Sequence, residues 1–165
     1  MKVLRRVWIV FGVLLLPLAT SNAAFIDGVN VGAGFMWSDS IRERFESVGG
    51  GSLHTSVHIN PPGAFMVSPF YDVSFASPVT QMLGVGLNYT VGMRDYESHI
   101  LFFGGNIGVV MADGTSQRFF GLQVGYKFPL GEKFGLIGRV KAIEDQNNVV
   151  SGFSIHLGVT FKLFQ

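Results

Sequence analysis

From about residue 25 to the end of the chain, apolar residues recur at every second position in eight separate runs. A period of two is the signature of a β-strand with one apolar and one polar face. The last run, "SGFSIHLGVTFKLFQ", shows it most plainly: Phe153, Ile155, Leu157, Val159, Phe161 and Leu163 alternate with Ser154, His156, Gly158, Thr160, Lys162 and Phe164. The first, over about 25–37, puts Val29, Val31, Ala33, Phe35 and Trp37 on one side. "SLHTSVHIN" aligns Leu53, Thr55, Val57 and Ile59, and "AFMVSPFYDVSFA" aligns Phe65, Val67, Tyr71, Val73 and Phe75. The fourth run, "QMLGVGLNYTVGMR", sets Leu83, Val85, Leu87, Tyr89, Val91 and Met93 against Gly84, Gly86, Asn88, Thr90, Gly92 and Arg94. "SHILFFGGNIGVVM", "QRFFGLQVGYKF" and "FGLIGRVKAI" repeat the rhythm.

Turn chemistry separates the runs. "NPPG", "DYE" and "PLGEK" alternate with "SDSIRERFESVGGG", "ASPVT", "ADGTS" and "EDQNN". No helix of useful length is predicted, beyond one short turn in "DSIRERFES" with Ile41 and Phe45 on the same side. Pro69 conflicts with its run, because a proline has no N–H to give to a ladder; a bulge or break is expected there.

The N-terminus reads differently. "MKVLRR" is basic, "VWIVFGVLLLPLA" is apolar, and "TSNAA" is small, the order of a secretory signal peptide. The expected division is residues 1–23 as signal peptide and 24–165 as one β-domain, a mature chain of about 142 residues. Losing Lys2, Arg5 and Arg6 takes the formal net charge from +1 to −2, which argues against a nucleic-acid surface. The chain has no cysteine, so disulfides, thiolate metal sites and cysteine nucleophiles are excluded. No long apolar run follows residue 24, so no membrane helix is expected in the mature chain.

Alternation by itself does not say whether the apolar faces point into a barrel or out of it. A soluble lipocalin-like barrel points them inward, around an apolar ligand. Three features favour the opposite. The polar faces hold Gly, Ser, Thr, Asn and Gln with few charges, and charged residues make up only 14% of the chain, against roughly 25% in ordinary soluble domains. The apolar faces are long enough for a tilted strand to cross a bilayer. Phe25, Trp37, Phe75, Tyr96, Phe128, Phe134 and Phe153 gather near run ends, as an interfacial girdle requires. Backbone polar groups in hydrocarbon must all be paired, and a closed sheet achieves that. The fold expected is therefore all-β: an eight-stranded, antiparallel, up-and-down transmembrane β-barrel of meander topology. Eight strands leave an interior just wide enough for side chains, too narrow for a wide pore.

With these eight runs, the signal peptide and Gly-rich pieces such as "GVGLNYTVGMR" and "GLQVGYKFPLGEKFGLIGRV", the chain resembles the small outer-membrane barrels of Gram-negative bacteria, the OmpX/Ail, opacity-protein and OmpA-barrel group. The resemblance implies location in the outer membrane, with both termini periplasmic. It implies contact with outer-membrane lipid and lipopolysaccharide, and with the assembly machinery that reads a C-terminal aromatic. Here Phe164 is penultimate and lies on the polar parity. The group includes adhesins, structural barrels and lipid-modifying enzymes, so fold does not fix function.

One stretch carries candidate chemistry. In "LHTSVHIN", His54, Ser56 and His58 share a strand face, with Asp72 available on the next strand. These are the residue types of an acyl-transfer triad. The His-x-Ser pattern resembles that of outer-membrane lipid A deacylases, which carry it late in the chain with Asn after the Ser; here Val57 follows, in the second run. Neighbours i and i+2 on a strand lie about 6.6 Å apart, which is too far for a direct hydrogen bond without help from another strand. The expectation is a polar interior network, with no catalytic, cofactor-binding or metal-binding residue assigned and no cofactor. His54 and His58, about 13 Å apart along a strand, do not share an ion, although His156 can approach one of them. His99 is expected at a strand end, at the interface. Arg94, Lys127, Arg139, Lys141 and Lys162 fall on the polar parity, with Asp72 the one clear acid among them and Asp27, Glu97 or Glu132 possible partners near the turns. The 38–51 loop, with Arg42, Glu43, Arg44 and Glu46, is the expected contact for a surface partner or for lipopolysaccharide phosphates. The function expected is a non-enzymatic outer-membrane barrel with a structural or surface-interaction role. The alternatives are a lipid-modifying acyl hydrolase and a soluble periplasmic ligand-binding barrel.

Overall fold

A computed structural model describes residues 26–40, 47–60, 64–75, 79–92, 99–112, 114–145 and 150–162. The expected signal peptide, Ile41 and Phe45, Arg94, and the C-terminal Phe164 and Gln165 lie outside them. Each alternating run becomes one strand: β1 (Ile26–Ser40), β2 (Ser47–Ile59), β3 (Phe65–Ser74), β4 (Thr80–Val91), β5 (Ile100–Ala112), β6 (Thr115–Pro129), β7 (Phe134–Asp145) and β8 (Val150–Phe161). Neighbours in sequence pair antiparallel, and β8 returns to pair with β1, from Val29 opposite Phe161 to Ser40 opposite Val150. The sheet thus closes as a meander barrel without free edges, so every strand has a ladder partner on both sides.

The apolar parity points outward, with Val57 of β2 a buried exception. Leu157 is 72% exposed, Leu122 70% and Ile107 68%, and Leu53, Phe65, Leu87, Phe120 and Phe134 are also exposed. The opposite parity is inside, where Asn30, Ser68, Asp72, Ser154 and Thr160 are fully buried. A soluble barrel holding an apolar ligand has the reverse arrangement, so the soluble reading is excluded by the pleat itself. Aromatic pairs flank the apolar belt: Trp37 with Phe153 toward one end, and Phe65 with Tyr89 and Phe134 with Phe161 toward the other. Phe25 and Tyr96 of the expected girdle lie outside the described residues. His99 is exposed beside β5, its Nδ1 2.6 Å from the Tyr126 hydroxyl, as a strand-end polar group should be.

One boundary departs from the expected ones. β1 runs on to Ser40 and β2 begins at Ser47, so Trp37 pairs with Gly49 and Asp39 with Ser47. Much of the expected 38–51 loop is therefore a hairpin extension, because ladder pairing needs only the backbone and is indifferent to the polar side chains there. At Pro69 the break, rather than the bulge, of the two expected alternatives is found. The β2–β3 register passes from Ser56 opposite Phe70 to Ile59 opposite Val67 with no slip, but the pairs between are missing from the ladder, while Pro69 still pairs with Val85 on β4. The strand spares the missing N–H on one side only. At the other extreme of tightness, "ADGTS" becomes a hairpin in which Ala112 pairs with Thr115, and Gly114 takes φ +75°, a left-handed conformation that glycine adopts without penalty.

The interior is filled. Met36, Phe70, Met82, Val110, Phe119 and Ile143 form one apolar cluster, drawn largely from the strand halves that lead to the β1–β2, β3–β4, β5–β6 and β7–β8 connections. Met66, Phe102 and Ile137 form a second near the opposite end. These residues sit on the polar parity, where the sequence reading expected small and hydrogen-bonding groups. They fit because glycines face them. A Cβ added to Gly84 would lie 2.8 Å from Phe70 Cζ, one added to Gly108 would lie 2.8 Å from Phe119 Cε1, and one added to Gly125 would overlap the Phe102 ring.

Candidate functional site

The polar residues inside the barrel make the one concentrated cluster of reactive side-chain types among the described residues. β2 directs His54, Ser56 and His58 inward because they share a parity, and register sets Asp72 of β3 opposite His54. β7 adds Arg139 and Lys141, β8 adds Ser154 and His156, and β1 adds Asn30. Asp72 is fully buried and uses both oxygens. Oδ1 makes a short contact with His54 Nδ1, and Oδ2 accepts from Lys141 Nζ at 2.6 Å. Facing a carboxylate, His54 Nδ1 carries the hydrogen, so its Nε2 is left to accept. The donor it meets is the Ser56 hydroxyl, 3.0 Å away.

Asp72, His54 and Ser56 are therefore linked in the order used to activate a serine nucleophile. The spacing argument against a direct i to i+2 contact is corrected here. It measured Cα separation, whereas an imidazole leaning along the strand spans the gap. The rest of the geometry does not favour attack. A hydroxyl has one hydrogen and two lone pairs. Ser56 gives its hydrogen to His54 and accepts from Asn30 Nδ2 at 3.2 Å and Arg139 Nη2 at 3.3 Å. Both lone pairs are engaged, and Ser56 is 1% exposed. Lys141 neutralises Asp72 from the other side while stacking 3.6 Å above the Phe70 ring. What the arrangement does is join β1, β2, β3 and β7 across the lumen through one saturated hydroxyl and one doubly paired carboxylate.

The remaining expected residues fall as follows. His58 Nε2 faces Arg139 Nη2 at 3.2 Å, and the Arg139 guanidinium stands 5.6 Å from the centroid of Phe102. His156 does approach His54, with ring centroids 5.3 Å apart, but its Nε2 contacts Ser52 Oγ at 2.9 Å. No group of three metal-ligating side chains forms among the described residues. Lys127, Arg139 and Lys141 are buried in the lumen, and Lys162 is exposed beyond β8. Of the partners expected near the turns, Glu132 is exposed. On the β4–β6 side, besides Lys127, amides predominate: Gln123 Nε2 donates to Asn88 Oδ1 at 2.6 Å, and Asn88 Nδ2 donates to Ser68 Oγ at 3.3 Å. The sequence reading missed Asn30 and Phe70 as members of this site. Phe70 was visible as a break in alternation; Asn30 carried no local signal.

No protein-family model and no curated protein sequence matches the chain. Solved structures do. The Neisserial surface protein A (NspA) superposes with a TM-score of 0.63 at 13% identity, covering 82% of this chain and 96% of that one. The N-terminal β-barrel domain of Pseudomonas aeruginosa OprF gives 0.53 at 13% identity, with 82% and 96% covered. Ail, the attachment invasion locus protein of Yersinia pestis, gives 0.52 at 12% identity, with 82% and 97% covered. The likeness is one of fold: a closed eight-stranded antiparallel transmembrane barrel.

Proposed function

We propose that the chain is an outer-membrane barrel whose contribution is structural or surface-binding rather than conductive or enzymatic. The observation that carries this reading is the pairing of an apolar outer wall with a filled interior. Lipid meets Leu122, Leu157 and Ile107 outside, while Phe70, Phe119 and Met82 occupy the lumen. A wall of this kind partitions into hydrocarbon, and a lumen so filled does not offer a water column. Its partners on this reading are outer-membrane lipid and lipopolysaccharide along the wall and the assembly machinery during insertion. A surface partner engages the 38–51 region, where the β1–β2 hairpin extends past Trp37. The signal peptide at 1–23 directs export.

The test is fractionation of cells expressing the full chain, then gel migration with and without boiling, then conductance across a planar bilayer. Outer-membrane recovery, heat-dependent migration and no stable conductance steps are expected. Extraction without detergent would sink the reading. The Asp72–His54–Ser56 chain supports a second reading, a lipid acyl hydrolase. Fatty acid release from lipopolysaccharide or phospholipid by the folded barrel, abolished by Ser56→Ala, would establish it; absence of release from either removes it.

A further inference from the structure

The outer wall is not uniform. Arg118 of β6 stands on its outward parity, two residues before the exposed Phe120. Register sets Val85 of β4, Ile107 of β5 and Phe120 of β6 in one row, and Leu83, Val109 and Arg118 in the next. Across these rows the wall is indented by an open groove of about 560 Å³, lined by Val85, Ile107, Val109, Phe120 and Arg118. One row nearer the β5–β6 hairpin, Gln81, Met111 and Ser116 lie side by side. A smaller depression there, of about 250 Å³, has Gln81, Thr115 and Ser116 in its lining. Along one strip of wall the chemistry thus passes from hydrocarbon to a cation to amide and hydroxyl groups.

Arg118 is exposed, and no hydrogen bond or ion pair joins it to another described residue. Glu144, opposite Phe120 on β7, is its diagonal neighbour across β6 from the groove. Diagonal Cβ atoms lie about 7–8 Å apart, and the two side chains do not pair. Arg118 is three residues from the start of its strand, as Phe153 is from the start of β8 and Trp37 from the end of β1. A cation at the level of an interfacial aromatic pair meets lipid headgroups, and a guanidinium offers phosphate two parallel N–H donors.

With both termini periplasmic, the β5–β6 end of the barrel meets the outer leaflet. Resting on the outer-membrane reading above, we propose that the β4–β6 wall holds one molecule of lipopolysaccharide by its lipid anchor. An acyl chain lies in the groove, Arg118 holds a headgroup phosphate, and Gln81 and Ser116 face the sugar. A loosely held annular lipid needs only an apolar wall; this strip adds a recess with a phosphate-binding group at its mouth.

The probe is lipid A. Barrel purified from cells expressing the full chain is mixed with lipid A in detergent and weighed by native mass spectrometry. A retained one-to-one adduct is expected. Removing the lipid's phosphates, or Arg118→Gln, should weaken it about tenfold, the loss of one charge-assisted contact. Val109→Trp, which fills the groove and leaves Arg118 in place, should also weaken it. Lys162→Gln, beyond β8 at the other end of the barrel, should change nothing. Undiminished retention by Arg118→Gln overturns the site. Equal retention of phosphatidylglycerol overturns the assignment to lipopolysaccharide, and a doubled barrel mass without lipid gives the face to a second copy instead. Heat-dependent gel migration of each sample separates the two levels of failure. A folded barrel that retains no lipid A removes this proposal alone, whereas a protein that does not migrate as a barrel removes the outer-membrane reading beneath it.

Discussion

The two sides of the lumen solve the same filling problem differently. The β1–β3 and β7–β8 side carries Asp72, His54, His58, Arg139, Lys141 and His156, all buried, with Asp72 held by His54 and Lys141, Arg139 by His58, and His156 by Ser52. Apart from Lys127 near the end of β6, the β4–β6 side carries amides and glycines, with Asn88, Asn106 and Gln123 converging where a Cβ on Gly86 would lie 2.6 Å from Gln123 Nε2 and 2.7 Å from Asn106 Oδ1. Long side chains from one strand thus occupy the room that glycine leaves on another, and the buried acid Asp72 sits where both His54 and Lys141 reach it. A narrow barrel cannot carry bulky charged residues on every strand, because neither volume nor counter-charge suffices. The lesson is that one wall holds the structure by ion pairing and the other by steric fit, and each should break in its own way.

The largest effect is expected from Asp72→Ala. It leaves Lys141 and His54 buried without their acid, and breaking such a pair costs about 3–5 kcal/mol. Urea titration of the refolded barrel, followed by gel mobility, measures it. Replacing both partners, in Asp72→Ala with Lys141→Met, should recover much of the loss. Equal instability of the single and double variants would show that ion pairing is not what joins these strands.

Next is the outer wall. Leu157→Arg, near mid-strand and 72% exposed, should cost about 2–4 kcal/mol in lipid, whereas Leu130→Arg at a turn should cost about 0–1 kcal/mol. Comparable small costs at both sites would mean that the wall does not face hydrocarbon.

On the steric side, Gly125→Ala drives a Cβ into the Phe102 ring and to 2.8 Å from the Gly138 carbonyl oxygen. The expected loss is about 1–3 kcal/mol, eased by adding Phe102→Leu. Gly51→Ala, where nothing lies within 4 Å, is the neutral control by the same urea titration.

The smallest effect is expected from Ser56→Ala. Arg139 keeps His58 and Asn30 keeps the Ser56 carbonyl, so the principal loss is the donor to His54 Nε2. About 1–2 kcal/mol should be lost. A cost as large as that of Asp72→Ala would promote the hydroxyl from one contact among several to the centre of the network.

Much of this molecule was legible in the chain. The parity of "SLHTSVHIN" placed His54, Ser56 and His58 on one face, and "ADGTS" announced its tight hairpin. The 38–51 stretch was misjudged because polar composition marks loops only on average, and backbone pairing continues through Val48 and Gly49 regardless. The triad-like link was misjudged because Cα spacing says nothing of where an imidazole leans. Phe70, Phe102 and Phe119 stood on the polar parity in plain sight, but what accommodates them, Gly84, Gly125 and Gly108, lies on neighbouring strands.

Sequence by itself therefore determined the strand count, the meander and the two faces, since alternation and turn chemistry are properties of adjacent residues. Tertiary structure decided who meets whom inside. Asp72 and Lys141 are 69 residues apart, Ser52 and His156 are 104 apart, and each contact exists because closure of β8 onto β1 brings distant strands across a lumen one side chain wide. Parity selects which side chains enter that space; the register of closure selects which of them touch.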